Sequence, residues 1–497
     1  MSNAVKKKST GKSAGASTPK KSVISAGQLT VLTVIAVASL RSLPTTATFG
    51  LGSLTFYIIP ALIFMIPTAL VSAELATGWK GGVYVWVREA MGNRWGFLAI
   101  WLQWIQNVVW YPVQLAFIAA AIAFTVGDLH LANSGIFTAV VILVLYYGST
   151  FIGLRGGTLF AKVGSWGGII GTIIPGAILI VAGGIWLAIG QKSQTPLKFN
   201  DVIPPFTGLA SIVLIVSNFL AYAGMEVNAV HVNRMRDPGK EYPKVILYAS
   251  ALILGVFILP TLAVAFIVPK ADLGLTSGIV DTFKIFFDHF GAGWVGQILA
   301  AAVGVGALSS VVTWIAGPSK GLLLAGETGV LPKMLQRRNK AGVQEGILVL
   351  QAVIVTLLAA IFVLVHNVSA AFFTLVDMAA ALYLIMYMFM FASAILLRRN
   401  KPDVYRSYRV PAMTTVAVIG FLASLAGFAL GFVPPSGLAG ISTSSYPYVM
   451  AAVVIILGVP PLIFYAIKKP AWVTHKFEDQ TEETGPVHKG APSGSIS

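Results

Sequence analysis

The chain has 497 residues, of which 56% are hydrophobic and only 10% charged; soluble domains carry roughly 25% charge, so a water-soluble globular fold is excluded. The net charge of +16 gathers in the segments on one side of the apolar runs, the pattern that orients a membrane protein, and calls for no nucleic acid partner. Cysteine is absent, which excludes disulfides and thiolate metal centres.

Residues 1–26 form a basic, Ser/Gly-rich leader that reads as disordered, with Lys6, Lys7, Lys8, Lys20 and Lys21 suited to an anionic leaflet. At roughly 20 residues per span, about twelve apolar segments follow, beginning near 28, 52, 95, 134, 159, 208, 245, 292, 346, 370, 411 and 446. This predicts an all-α polytopic membrane protein. Of the 34 lysines and arginines, Lys192, Lys198, Lys270 and Lys284 fall on one side and Arg41 inside a span; all others share the opposite side. The positive-inside rule makes that side cytoplasmic, with both termini on it, in a cell membrane.

Span 1 is interrupted at Arg41-Ser42-Leu43-Pro44, because Pro44 cannot donate to the helix ladder and biases Leu43 away from the α region. From Gln28 to Arg41 is roughly 20 Å of helix at about 1.5 Å per residue, which places Arg41 near mid-depth. Span 6 carries a second interruption at Tyr222-Ala223-Gly224-Met225-Glu226. Glu226 precedes Arg234 by roughly 12 Å of helix, again near mid-depth. Broken helices survive in hydrocarbon only where they line a polar cavity, and two that meet build the solute site of many secondary transporters. Breaks in the first and sixth spans fit an inverted repeat of five plus five spans, residues 27–200 and 201–400. Residues 401–469 then hold spans 11 and 12, and 470–497 a cytoplasmic tail.

Other intramembrane polar groups are few: Gln103 and Asn107 on span 3, Asn218 and His231 on span 6, Ser309, Ser310 and Thr313 on span 8, and Asp377 on span 10. Glu74 reads as interfacial. The Gly-rich pieces Arg155-Gly156-Gly157 and Gly167-Gly168 fit close helix approach. Spans 11 and 12 read as packing elements. His475 and His488 lie in a hydrophilic tail with Glu478, Asp479, Glu482 and Glu483.

Gly81-Gly82-Val83-Tyr84-Val85-Trp86 resembles the Gly-Gly-aromatic-x-Trp loop of amino acid permeases. Tyr222-Ala223-Gly224-Met225-Glu226, with Asp237-Pro238 and Tyr242-Pro243, is similar to the span 6 signature of the glutamate:GABA antiporter family. Trp314-Ile315-Ala316-Gly317-Pro318-Ser319-Lys320, continuing to Leu331-Pro332, resembles its span 8 signature. That family belongs to the amino acid–polyamine–organocation superfamily. The resemblance covers spans 1 to 12 and implies the superfamily's five-plus-five fold with discontinuous helices 1 and 6. It further implies amino acid exchange or uptake by alternating access, with the substrate's α-carboxylate and α-amino groups on the unwound backbone of spans 1 and 6. By position it adds Trp314, Tyr383 and Tyr387 as aromatics closing over the side chain. Two departures stand out. Span 1 reads Arg41-Ser42-Leu43-Pro44 where acid-resistance exchangers have Tyr-Glu-Tyr-Pro, and Ser310 stands where they have Glu. Glutamate and GABA are therefore not transferred as substrates.

The expected substrate site comprises Arg41, Ser42, Leu43, Tyr222, Ala223, Gly224, Glu226, Trp314, Tyr383 and Tyr387. A lone cation at mid-bilayer costs between about 3 and 10 kcal/mol or more, so Arg41 is expected to bind a substrate carboxylate or pair with Glu226 or Asp377. Glu226 and Asp377 are the candidate proton or charge relay. The leading function is an amino acid antiporter, exchanging one amino acid for another or for an amine. A proton-coupled amino acid symporter is the alternative and a polytopic membrane enzyme the remote one. The expected partners are a small amino acid or amine and the lipid bilayer, with no metal or organic cofactor; the substrate's identity and the oligomeric state stay open.

Overall fold

A computed structural model describes residues 24–155, 167–229, 231–365, 367–435 and 443–474. The leader lysines, Gly156, Gly157, His475, His488 and the tail acids lie outside them. Among the described residues, eleven helices are long and apolar enough to cross a membrane, and one bent pair, counted as one span, makes a twelfth. The bent pair is span 1, with arms Ala26–Val37 (1a) and Leu40–Ala47 (1b). Spans 2 to 6 follow at Gly50–Gly78, Asn93–Thr125, Gly135–Arg155, Ile169–Ala188 and Val213–Arg234. Spans 7 to 12 lie at Pro238–Ile267, Gly293–Gly326, Glu345–Leu364, Val368–Asn400, Met413–Leu430 and Tyr446–Ala466. The protein is an all-α, multi-pass membrane protein.

Arm 1a starts on a capping box: Ser25 Oγ takes the Gln28 N–H, and the Gln28 side chain takes the Ser25 N–H. It ends earlier than the sequence suggests. Ala38 (ψ 122°) and Ser39 (φ −145°, ψ 134°) are extended, and the arms meet at 44°. The break is therefore at Ala38–Ser39, not at Arg41–Pro44. Pro44 sits in the first turn of the α-helical part of that arm, Leu43–Ala47, where the ring's fixed φ suits the helix.

Pro60 does interrupt a ladder. Without an N–H it leaves the Phe56 carbonyl, four residues back, without its helical donor, and a π-helical stretch follows at Ala61–Met65. Asn218 of span 6 repairs the gap: its Nδ2 donates to the Phe56 carbonyl at 2.9 Å, while its Oδ1 accepts from Thr46 Oγ1 at 2.8 Å. One carboxamide thus ties spans 1b, 2 and 6 together. Spans 5 and 8 approach through glycine, for a Cβ on Gly171 would lie 2.3 Å from Gly306 Cα.

On the side that carries the described start of the chain, Glu74, four residues before the end of span 2, is buried. Its carboxylate accepts the Val410 N–H at 2.6 Å and pairs with Arg398 and Arg406. Arg406 caps the end of span 10 by donating to the Leu397, Lys401 and Val404 carbonyls, and it lies 4.9 Å over the Trp79 ring. Glu74 thereby fastens span 2 to span 10 and the segment after it.

On the opposite side, helix Gly278–His289 lies between spans 7 and 8 and rests on arm 1b: a Cβ on Gly278 would meet Pro44 Cβ at 2.8 Å. Its Asp281 accepts from the Ser277 hydroxyl at 2.7 Å. Burial pushes this carboxyl from the usual 3.8 up to about 6, although Ser277 and Lys284 pull it down. A raised folded-state pKa means that the fold holds the proton. Its stabilising contribution is complete below pH 3.8 and is lost as pH rises through about 6. The melting temperature of the wild type relative to Asp281→Asn should therefore fall across that window. A difference independent of pH would contradict it.

Candidate functional site

Span 6 stops at Tyr222, because Ala223 is extended (ψ 148°). Gly224 then takes φ +105°, a region that side chains with a Cβ rarely adopt. Helix resumes at Met225–Ala229. The turn exposes backbone in mid-span, and span 10 supplies its partner. The Gly224 N–H donates to the Tyr387 hydroxyl at 2.8 Å, and that hydroxyl donates to Glu226 Oε2 at 2.6 Å. Glu226 Oε1 accepts from the Tyr383 hydroxyl at 2.6 Å and from Gln103 Nε2 at 3.0 Å. The carboxylate is 2% exposed, satisfied by three neutral donors, and has no ion pair among the described residues.

A cavity of about 610 Å³ reaches Glu226. Its walls include Ile35, Gly82, Gln103, Thr313 and Trp314, and Glu226 is the acid among them. It runs toward Gly81 and Gly82, whose φ values of +122° and +73° make the turn after span 2. It therefore faces the side of the described chain start. The opposite side is shut by packed rings. Tyr57 and Phe257 stack at 5.6 Å, Tyr222 meets Phe257 at 5.5 Å, and the Tyr222 hydroxyl donates to the Tyr57 carbonyl at 3.0 Å.

A smaller cavity of about 80 Å³ adjoins it and is lined by Arg41, Gln106, Asn107, Trp110, Gln114 and the Tyr383 ring, among others. Trp314 and Ser310 wall both cavities. The Trp314 ring edge would lie 3.7 Å from a Cβ on Gly224, so it packs directly on the break.

Of the expected residues, Arg41, Ala223, Glu226, Trp314 and Tyr383 line one or other cavity. Ser42, Leu43, Tyr222, Gly224 and Tyr387 are buried behind or beside them. Arg41 pairs with neither acid: it has no ion pair among the described residues, and its guanidinium lies 5.9 Å from the Phe372 ring. Tyr383, which also lines the Arg41 cavity, donates its hydroxyl hydrogen to Glu226. Asp377 lines neither cavity. It accepts from Tyr446 of span 12 at 2.5 Å, which gives that span a polar anchor beyond packing. Gln106 and Gln114 were missed. Their signal was available, since Gln103, Gln106, Asn107, Trp110 and Gln114 recur at i, i+3, i+4, i+7 and i+11 on one face of span 3.

The family model described as amino acid permease matches residues 24–459. An uncharacterised transporter of Legionella pneumophila is 40% identical over 423 residues, 84% of this chain and 90% of the relative. A glutamate/gamma-aminobutyrate antiporter of Lactococcus lactis is 30% identical over 448 residues, 88% of this chain and 89% of its own. A probable agmatine/putrescine antiporter of the same species is 24% identical over 387 residues, covering 77% and 80% of the two chains.

Tyr387→Phe strips the acceptor from the Gly224 N–H and a donor from Glu226, which costs about 1–3 kcal/mol. Tyr383→Phe removes one donor and leaves the break intact, at about 1 kcal/mol. Melting temperatures should fall in that order. Equal losses would show that the break does not depend on Tyr387.

Proposed function

The chain belongs to the amino acid permease family of the amino acid–polyamine–organocation superfamily, and from that premise we propose that it is an antiporter exchanging an amino acid for another or for an amine. Transport itself follows from the family. The exchange mode draws support from antiporters among the relatives.

The observation that carries the reading is the buried Glu226 carboxylate at the second break, reached by a cavity from one side and sealed by the Tyr57–Tyr222–Phe257 rings on the other. Such a site presents itself to one compartment at a time, as alternating access requires. The side with most of the basic residues is taken as cytoplasmic, with both termini on it, so this conformation faces inward. In this reading Glu226 meets the solute's ammonium group. Trp314 and Tyr383 close over its side chain, while Tyr387, Gly224, Ala223, Tyr222, Ser42 and Leu43 hold the breaks in shape. Residues 27–200 and 201–400 act as the two inverted halves, each contributing one broken helix.

One feature of the same carboxylate favours proton-coupled symport as the second reading. It carries no ion pair among the described residues, its donors being Gln103, Tyr383 and Tyr387, and it borders the open cavity. Asp377 accepts from Tyr446 and lines neither cavity.

Reconstitution into liposomes separates the two. Exchange predicts that unlabelled internal amino acid accelerates uptake of labelled substrate by about tenfold or more. Symport predicts no such acceleration and acidification of the receiving compartment. Under either reading Glu226→Gln should lower the transport rate about tenfold or more, which corresponds to about 1.4 kcal/mol or more of lost stabilisation. A Glu226→Gln protein with wild-type transport would overturn the assignment of this carboxyl.

A further inference from the structure

The stretch between spans 5 and 6, on the side away from the described chain start, turns its apolar side chains outward. Phe199 is 88% exposed, Ile203 76% and Phe206 65%. Its acid does the opposite, for Asp201 Oδ2 is buried. In water the hydrophobic effect favours the reverse arrangement, with apolar groups inside and carboxylates outside. Lys198 is also exposed, between Leu197 and Phe199.

The height of this loop follows from what holds it. Thr55 Oγ1 of span 2 donates to the Val202 carbonyl at 2.6 Å, and a Cβ on Gly52 would lie 3.1 Å from Pro204 Cβ. Span 2 has 29 residues, roughly 43 Å of helix at about 1.5 Å per residue. That matches a bilayer with its headgroups, about 40–45 Å. Thr55 stands five residues in from the far end at Gly50, or roughly 7 Å. Headgroups give way to hydrocarbon at that level.

Its lateral place follows from the same contacts. Gly52, Thr55, Ile59 and Leu62 recur at i, i+3, i+7 and i+10, which is one face of the helix. Ile59 and Leu62 are exposed, and on a spanning helix that face meets lipid. Val202 and Pro204 rest on the far end of this stripe, so the loop lies at the rim of the bundle and not over its axis.

We propose that residues 197–206 form an interfacial anchor, seated in the phospholipid leaflet away from the chain start. Phe199, Ile203 and Phe206 enter the upper acyl chains. The Lys198 ammonium reaches the lipid phosphates while its stem lies along apolar surface. Continuity with the lipid-facing stripe of span 2 selects lipid over a second protein. The loop leads through Gly208 (φ +135°) and two short helical turns, Leu209–Ser211 and Val213–Ile215, into span 6. The leaflet thereby fixes the entry of the span that carries the second break.

The test uses the full-length protein in liposomes, with one introduced thiol, Phe199→Cys or Phe206→Cys, carrying an environment-sensitive fluorophore. Each variant keeps two of the three apolar side chains, and the second serves if the first fails to fold. Leu62→Cys is the reference, 12 residues from Gly50 and so roughly 18 Å deep. A nitroxide at the headgroup end of the acyl chain should quench the loop probes by about half or more, whereas one at the methyl end should quench the reference probe. Loop probes that the shallow nitroxide leaves unquenched would overturn the anchor. Aqueous iodide then tells the two failures apart: quenching by iodide places the loop in water, and resistance to iodide places a protein cover over it.

Discussion

The Tyr387 hydroxyl, accepting from Gly224 and donating to Glu226, is the contact on which the site depends. A chain that unwinds in hydrocarbon must find partners for its freed backbone within the protein. Span 10 meets that requirement with a side chain that fixes the break and the carboxylate together. Because one oxygen does both jobs, the position of Glu226 is locked to the shape of the turn. Gly224 is then required for its conformation, Trp314 covers it, and the larger cavity ends where the carboxylate stands.

The same constraint explains the supporting parts. Pro60 opens the ladder of span 2, and Asn218 closes it from span 6 while holding arm 1b. Arm 1b, span 2 and span 6 are thereby stapled at one point, so any change of access through these elements moves them together. The packed rings of Tyr57, Tyr222 and Phe257 belong to spans 2, 6 and 7 and shut the far side. The Glu74 cluster fastens span 2 to span 10 on the near side. The Asn218 staple lies beside the aromatic seal on the far side, and the larger cavity opens toward the near side.

Much of this was legible beforehand. Span starts follow from apolar length alone, and Gly224 beside an acid marked the second break closely. Pro44 misled about the first break, since a proline in a first turn starts a helix as readily as it ends one; the extended Ala38 and Ser39 carry no such mark. Arg41 and Glu226 line adjoining cavities, and Glu226 is bonded by Tyr383, a side chain from a distant span whose position no local pattern reveals. Asp377 looked equivalent to Glu226 by depth, yet depth does not say which way a helix faces, and this acid turns to Tyr446. The polar stripe on span 3 was readable at helical spacing. It was passed over because glutamines carry no charge and attract less notice than acids.

The natural chain contains no cysteine, so a single introduced thiol reports on one position without background. Val227 follows Glu226 and lines the larger cavity, which makes Val227→Cys the most direct probe of an occupied, one-sided site. An impermeant maleimide should label it from the cytoplasmic side of oriented vesicles, and a transported amino acid should slow that labelling about tenfold or more. Labelling from the outer side alone, or at a rate that no amino acid or amine alters, would contradict a solute site at the second break.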